Sequence, residues 1–355
     1  MPVTQAWLNR IGTAVPAHDI HRDFVAYARD ALGDPHRAAL FERMAAQAEI
    51  THRWAVIAPG PEPRDRVLDA DAFYVRGAFP STAARMDRFQ PAALALALQA
   101  AENLQLGDDR GAVTHLIVAS CTGFAAPGLD FALMRALGLS ESVERTLVGF
   151  MGCFAAVNAL KLARHMVRSD PAARVLVVTV ELSSLHLQER FDDLPAMLGF
   201  LLFGDGAAAA LVSATPDGLA LDRFKAAVIP NSADLITWNI RDSGFVMHLS
   251  GQVPNRIRRW LPVNGPALLP DPAPALWAVH AGGRSILDAV QQGLGLATDA
   301  LDASRAVLRD YGNMSSATLM FVLDRIMRAR DARGPGIAMA FGPGLTVETF
   351  GFRRP

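Results

Sequence analysis

Two cysteines, Cys121 and Cys153, are all that a chain of 355 residues contains. So few rule out a disulfide framework, and there is neither a Cys-x-x-Cys pair nor a zinc-type histidine spacing to hold a structural metal. A reduced, cytoplasmic setting is therefore expected. No apolar run approaches the roughly 18 residues of a membrane-spanning helix, and residues 1–19 carry no signal-peptide core. Charge is scarce and balanced, with 19% charged residues, a formal net charge of −1 and no basic stripe, which argues against a nucleic-acid partner. The Gly-rich turns Gly204-Asp205-Gly206 and Gly342-Pro343-Gly344 do not complete a Gly-x-Gly-x-x-Gly, so a dinucleotide site is weakly supported.

What is present is a large apolar content, 51% of residues, arranged in a strand–helix rhythm. His115–Ser120, Thr146–Phe150, Arg174–Val180, Ala275–Val279 and Gly336–Phe341 are short continuous apolar runs of the kind that suits strands covered on both faces. Helical periodicity marks residues 22–53, the stretch leading to Leu104, and Leu129–Leu137, Phe154–Arg168, Ser285–Leu294, Ala303–Tyr311 and Ser316–Arg330. Pro59–Arg66 reads as a Pro-broken loop, and Pro262–Pro274, with five prolines, as an ordered surface loop. Alternating strands and helices predict an α/β fold with helices covering a sheet. The rhythm repeats on either side of Ala214–Gly218, which suggests a duplication into halves 1–215 and 216–355.

Three residues stand at the joints of this pattern. Cys153, after Gly149-Phe150-Met151-Gly152, opens a helix; His280 ends a strand ahead of Gly282-Gly283; Asn313 follows a helix closing at Gly312. Each has an ordinary structural reading: a small core thiol, a satisfied histidine, a turn amide. Together they supply a nucleophile, a base or donor, and an amide donor, which is what an acyl-thioester site requires. A helix N-terminus and a nearby imidazolium would favour the Cys153 thiolate. Two donors on one developing oxyanion lower a barrier by about 2.7–4 kcal/mol each.

Four segments in order then resemble one family: Gly152-Cys153-Phe154-Ala155, Leu202-Phe203-Gly204-Asp205-Gly206, Tyr311-Gly312-Asn313-Met314-Ser315-Ser316, and Phe341-Gly342-Pro343-Gly344-Leu345-Thr346-Val347-Glu348-Thr349. The chain is similar over most of its length to chalcone synthase-like, or type III polyketide synthase, proteins, and looks bacterial rather than plant-like in Glu181–Gln188. The resemblance implies a thiolase-like duplicated five-layer αβαβα fold working as a homodimer. It implies Cys153, His280 and Asn313 as the catalytic three and Phe203 as an aromatic gatekeeper. A starter acyl-CoA would load Cys153, and malonyl-CoA would extend it by repeated decarboxylative condensation to a pyrone or a resorcinol- or phloroglucinol-type ring. No cofactor beyond the CoA thioesters and no metal is implied. By the same likeness Cys121, Glu181, His186, Gly199, Trp238, Met247 and Ser315 shape the substrate cavity. Of three basic positions that hold CoA phosphates in plant members only Arg43 remains, the others being Leu40 and Gln47. Arg53 or His52 are candidate substitutes, and an acyl carrier protein is an alternative donor. A single-round 3-ketoacyl synthase uses the same residue types, but its Gly-Asn-Thr-Ser and His-Gln-Ala-Asn contexts do not occur here. A non-catalytic acyl-binding protein of the same fold is the other alternative.

Overall fold

The structure, a computed structural model, describes residues 4–60, 66–189 and 194–355. Most of the loop expected at Pro59–Arg66 lies outside them. The first half carries strands β1 (Ala6–Ala14), β2 (His18–Asp19), β3 (Trp54–Ala55), β4 (His115–Ser120), β5 (Glu144–Gly149), β6 (Val175–Leu182) and β7 (Asp205–Ser213). Its helices are α1 (His21–Ala31), α2 (Pro35–Gln47), α3 (Thr82–Asn103), α4 (Leu129–Ala136), α5 (Ala155–Ser169) and α6 (Leu194–Leu202). The second half carries β8 (Leu219–Val228), β9 (Ile236–Arg241), β10 (Gly244–Leu249), β11 (Leu276–Val279), β12 (Gly334–Gly342) and β13 (Thr346–Arg354). Its helices are α7 (Val253–Asn264), α8 (Arg284–Leu294), α9 (Asp302–Tyr311) and α10 (Ser316–Arg328).

Nine strands form one mixed sheet in the order β11-β12-β13-β8-β1-β7-β6-β4-β5. Its two parts repeat one pairing pattern. β1 runs antiparallel to β7, β7 antiparallel to β6, and β6 parallel to β4; β8 runs antiparallel to β13, β13 antiparallel to β12, and β12 parallel to β11. β1 joins the parts by also pairing with β8.

Alternation along the strands builds the layers, because successive side chains leave opposite faces. In β4, Leu116 and Val118 join the core under α3 and α4, whereas Ile117 and Ala119 face the central core of α5 and α10. In β12, Ala338 and Ala340 face that same central core, and Ile337, Met339 and Phe341 pack toward α7 and α8. The result is five layers, αβαβα. α5 fits the middle because Ala155, Ala156, Ala159 and Ala163 let it lie close to both sets of strands. Each buried Leu or Val of that layer contributes about 1.5–3 kcal/mol.

Two expectations need correction. Pro262 does not begin a loop; it lies in the last turn of α7, where the missing N–H forfeits one helical bond. α5 begins at Ala155, with Cys153 in a 3₁₀ turn, Gly152–Phe154, just before it. No helix among the described residues is long and apolar enough to cross a membrane.

The layers bring the strand ends together. Cys121 follows β4, Glu181 lies near the end of β6, His280 follows β11, and Gly342-Pro343 closes β12. Loops beyond the carboxyl ends of parallel strands are where α/β folds collect ligands.

Candidate active site

Gly152 explains how the cysteine is presented. Its φ is +76°, and an added Cβ would stand 2.3 Å from Pro343 Cδ, so only glycine lets the chain turn against β12 here. Cys153 then lines a cavity of about 170 Å³ with Cys121, Ser183, Gly199, Phe203, Trp238, Met247 and Ser315. The Ser315 and Asn313 side chains both favour its ionised form.

Asn313 is fixed on both sides of its amide. Oδ1 accepts from the Ser315 N–H at 2.9 Å, and Nδ2 donates to the Gly282 carbonyl at 3.2 Å. One Nδ2 hydrogen is left for the site. Its backbone bridges Phe203: the Asn313 N–H donates to the Leu202 carbonyl (2.8 Å) and the Gly204 N–H to the Asn313 carbonyl (3.0 Å). Ser315, between cysteine and amide, sits at φ +48°, a conformation that costs about 1–3 kcal/mol and clusters at functional sites.

His280 is 2% exposed, and its backbone N–H donates to the Met339 carbonyl at 2.8 Å. Neither ring nitrogen has a hydrogen-bond partner among the described residues. Two orphaned nitrogens on a buried ring are costly unless the ring serves a ligand. Burial pushes the ring down to about 3, so it is neutral. Burial likewise pushes the Cys153 thiol up to about 12, assisted by the Glu181 carboxylate and opposed by the side chains of Ser315 and Asn313. Burial thus disfavours a lone charge on either group, against the helix N-terminus that follows Cys153.

Beneath the cysteine lies a polar knot. The Glu181 carboxylate accepts from the Cys121 N–H (3.0 Å), the Cys121 thiol (3.2 Å), the Thr122 hydroxyl (2.9 Å) and the Ser316 hydroxyl. Cys121 Sγ is also 3.3 Å from Ser315 Oγ. Burial raises both Glu181 and Cys121. Thr122 and Ser316 complete the knot; Ser316 falls in one of the motif segments, and nothing in its local sequence marks Thr122.

The remaining wall comes from the β9–β10 hairpin. Trp238 and Met247 face each other across it, and Trp238 Nε1 donates to the Cys121 carbonyl at 2.7 Å. Gly199 opens onto space: a Cβ there would meet nothing within 4 Å. His186 stands behind the wall. Its Nε2–H donates to the Thr122 carbonyl (2.7 Å), its Nδ1 accepts from the Phe245 N–H (3.0 Å), and its ring stacks on Phe245. With both nitrogens used, it braces the cavity. Phe203 is half-buried and divides this cavity from a neighbour of about 160 Å³ beside Phe24, Tyr27 and Arg53.

The family described as chalcone and stilbene synthases, N-terminal domain, matches residues 3–216, and its C-terminal domain matches 221–354. The chain belongs to this family. Solved structures agree. The C-terminal type III polyketide synthase domain of Steely1, a type I/III hybrid from Dictyostelium, is 26% identical with a TM-score of 0.89, covering 99% of both chains. PKS-I from the brown alga Ectocarpus siliculosus is 28% identical with a TM-score of 0.86, covering 100% of both. CsyB, solved with CoA-SH, is 24% identical with a TM-score of 0.85, covering 99% of this chain and 100% of that one, and shows the fold alone. The protein is thus a type III polyketide synthase, an acyltransferase with the thiolase-like fold.

A wider opening shares Gly199 and Leu249 with the catalytic cavity and is lined by Met44, Gln47, Gly283 and Arg284. Arg43 is exposed on α2 and is not part of this lining. His52 is engaged by Asp19 (2.6 Å), and Arg53 is buried, so neither replaces the missing basic residues. Among the described residues Arg284 is the cation that lines the mouth, which sequence reading missed; Glu49 (3.3 Å) and Asp288 (3.4 Å) partly neutralise it.

Proposed function

We propose that this synthase carries an acyl chain on Cys153 and uses His280, Asn313 and Phe203 to make the nucleophile that extends it. The observation that carries the reading is the Asn313 carboxamide, locked by Ser315 and Gly282 beside the cysteine, together with the unpartnered His280 ring. In loading, the Cys153 proton passes to His280 as the sulfur attacks the starter thioester carbonyl. The two groups change charge together, so no lone buried ion forms. The CoA thiolate leaves and takes the proton.

In extension, the bond between the malonyl α-carbon and its carboxylate breaks. CO₂ leaves, and the electron pair becomes an enolate whose oxygen accepts from His280 and Asn313. The phenyl face of Phe203 leaves the carboxylate poorly solvated, which favours its loss as a neutral molecule. The enolate carbon then attacks the Cys153 thioester and expels the thiolate, which leaves the lengthened chain on CoA; the thiolate attacks that thioester in turn and releases CoA, so the chain returns to Cys153. Repeated rounds give a poly-β-keto chain, released as a pyrone or as a resorcinol- or phloroglucinol-type ring. The apolar lining favours an aliphatic starter.

Both donors are taken to be CoA thioesters, with no resident cofactor. CsyB was solved with CoA-SH, which supports that choice, and an acyl carrier protein is the competing donor. The protein is taken to act as a cytoplasmic homodimer. β5 is an edge strand, and Leu147, Phe150 and Met151 expose large apolar side chains at or just beyond it, a surface that a second copy would cover.

Intact-mass analysis after incubation with aliphatic acyl-CoAs tests the loading step. An acyl adduct that disappears in Cys153→Ala is expected. Equal labelling of the two proteins would remove Cys153 from this role.

A further inference from the structure

Arg53 lies in Thr51-His52-Arg53-Trp54, which reads as exposed basic sequence, yet its side chain is 1% exposed. Burying a guanidinium costs several kcal/mol of hydration, and an apolar side chain would fill the same space at less cost. Two of its three nitrogens are bonded, while Nη2 has no hydrogen-bond partner among the described residues. Nη1 donates to the carbonyls of Phe200 and Phe203, both at 2.7 Å. Nε donates at 3.0 Å to Nδ1 of His21, which burial keeps neutral. The guanidinium lies over the Phe24 ring, 4.7 Å from its centroid.

The two carbonyls bracket the turn that carries Phe203, and that turn is bonded to Asn313 through Leu202 and Gly204. The other flank is equally close. Gly312 has φ +69°, and a Cβ there would lie 2.9 Å from both Arg53 Cγ and the Leu202 carbonyl oxygen. Arg53 therefore touches both backbone segments proposed to present groups to the malonyl unit, and it stands outside the lining of the catalytic cavity.

We propose that Arg53 is a positioning residue for decarboxylation: by clamping the Phe200 and Phe203 carbonyls against the Gly312–Asn313 turn, it sets the spacing between the aromatic face and the carboxamide donor. This rests on the roles given above to Phe203 and Asn313. Loading on Cys153 does not need that spacing, so the two half-reactions separate.

The test measures malonyl-CoA decarboxylation and acyl loading in wild type, Arg53→Lys and Arg53→Met, each with and without Phe203→Leu. A lysine can satisfy one of the two carbonyls at a time. Arg53→Lys is expected to load within about twofold of wild type and to decarboxylate about tenfold more slowly, and the same change in Phe203→Leu is expected to cost less than about threefold, the non-additivity of coupled residues. A proportional fall of both half-reactions, or a full additive cost in Phe203→Leu, overturns the proposal. If the Arg53 variants do not fold, His21→Leu, which frees Nε alone, is expected to show the same split at about two- to fivefold. Unchanged decarboxylation there overturns it equally. Undiminished decarboxylation in Phe203→Leu alone would instead overturn the role of Phe203, and the clamp with it.

Discussion

Replacing Asn313 by aspartate isolates one hydrogen-bond donor. The side chain keeps its shape, and Oδ1 still accepts from the Ser315 N–H. The nitrogen, however, becomes an oxygen 3.2 Å from the Gly282 carbonyl, so an acceptor faces an acceptor and nothing points a hydrogen at the enolate. Losing one preorganised oxyanion donor costs about 2.7–4 kcal/mol, or about 100- to 1000-fold in rate. Acyl loading depends on Asn313 only through the support it gives the Cys153 sulfur, so it is expected to fall by less than about tenfold, the size of one ordinary hydrogen bond. The assay is release of CO₂ and acetyl-CoA from malonyl-CoA, with intact mass reporting the acyl adduct in parallel. Decarboxylation within threefold of wild type would refute the oxyanion role of the carboxamide.

Gly199→Leu would project a side chain into open cavity space, so shorter products are expected by mass spectrometry at unchanged thermal stability. Leu147→Asp puts a charge on the exposed edge of β5 and is expected to shift a dimer to monomer in light scattering. The pH dependence of stability has a definite sign. His186 and His280 are pushed down to about 3 and His21 to about 4, all by burial. Unfolded histidine takes its proton near pH 6.5, so their contribution is complete above that value and is lost as pH falls toward the folded values. Asp205, pushed up to about 6 by burial, opposes this by gaining stability as pH falls. Glu181, which burial also raises, opposes it too, but three rings outnumber the two carboxylates, so Tm should drop between pH 7 and 5 in a melting series. A flat or rising Tm contradicts the burial of these rings.

The strands and helices read most clearly from sequence are those covered on both faces or carrying one long apolar stripe: β4 occupies His115–Ser120 as expected, and α8 differs by one residue. β1 was illegible because Asn9 and Arg10 interrupt it at a register shift, where Asn9 is buried and accepts from Ser213 at 2.8 Å. β8 to β10 mix charged and apolar residues because they are partly exposed, so no continuous run marks them. Cys153, His280 and Asn313 stood out because each sits at a glycine-marked joint. The structural roles of Arg53, Thr122 and Ser316 were not legible, since they come from burial and from partners about 60 or more residues away.

Product analysis with an aliphatic acyl-CoA and carbon-13-labelled malonyl-CoA reaches the centre of the account. A cavity in which Cys153 holds the chain while His280 and Asn313 generate each new nucleophile should yield cyclised products carrying two or more labelled C₂ units, and none from Cys153→Ala. Products that stop at a single C₂ unit, or that persist in the alanine variant, would contradict it.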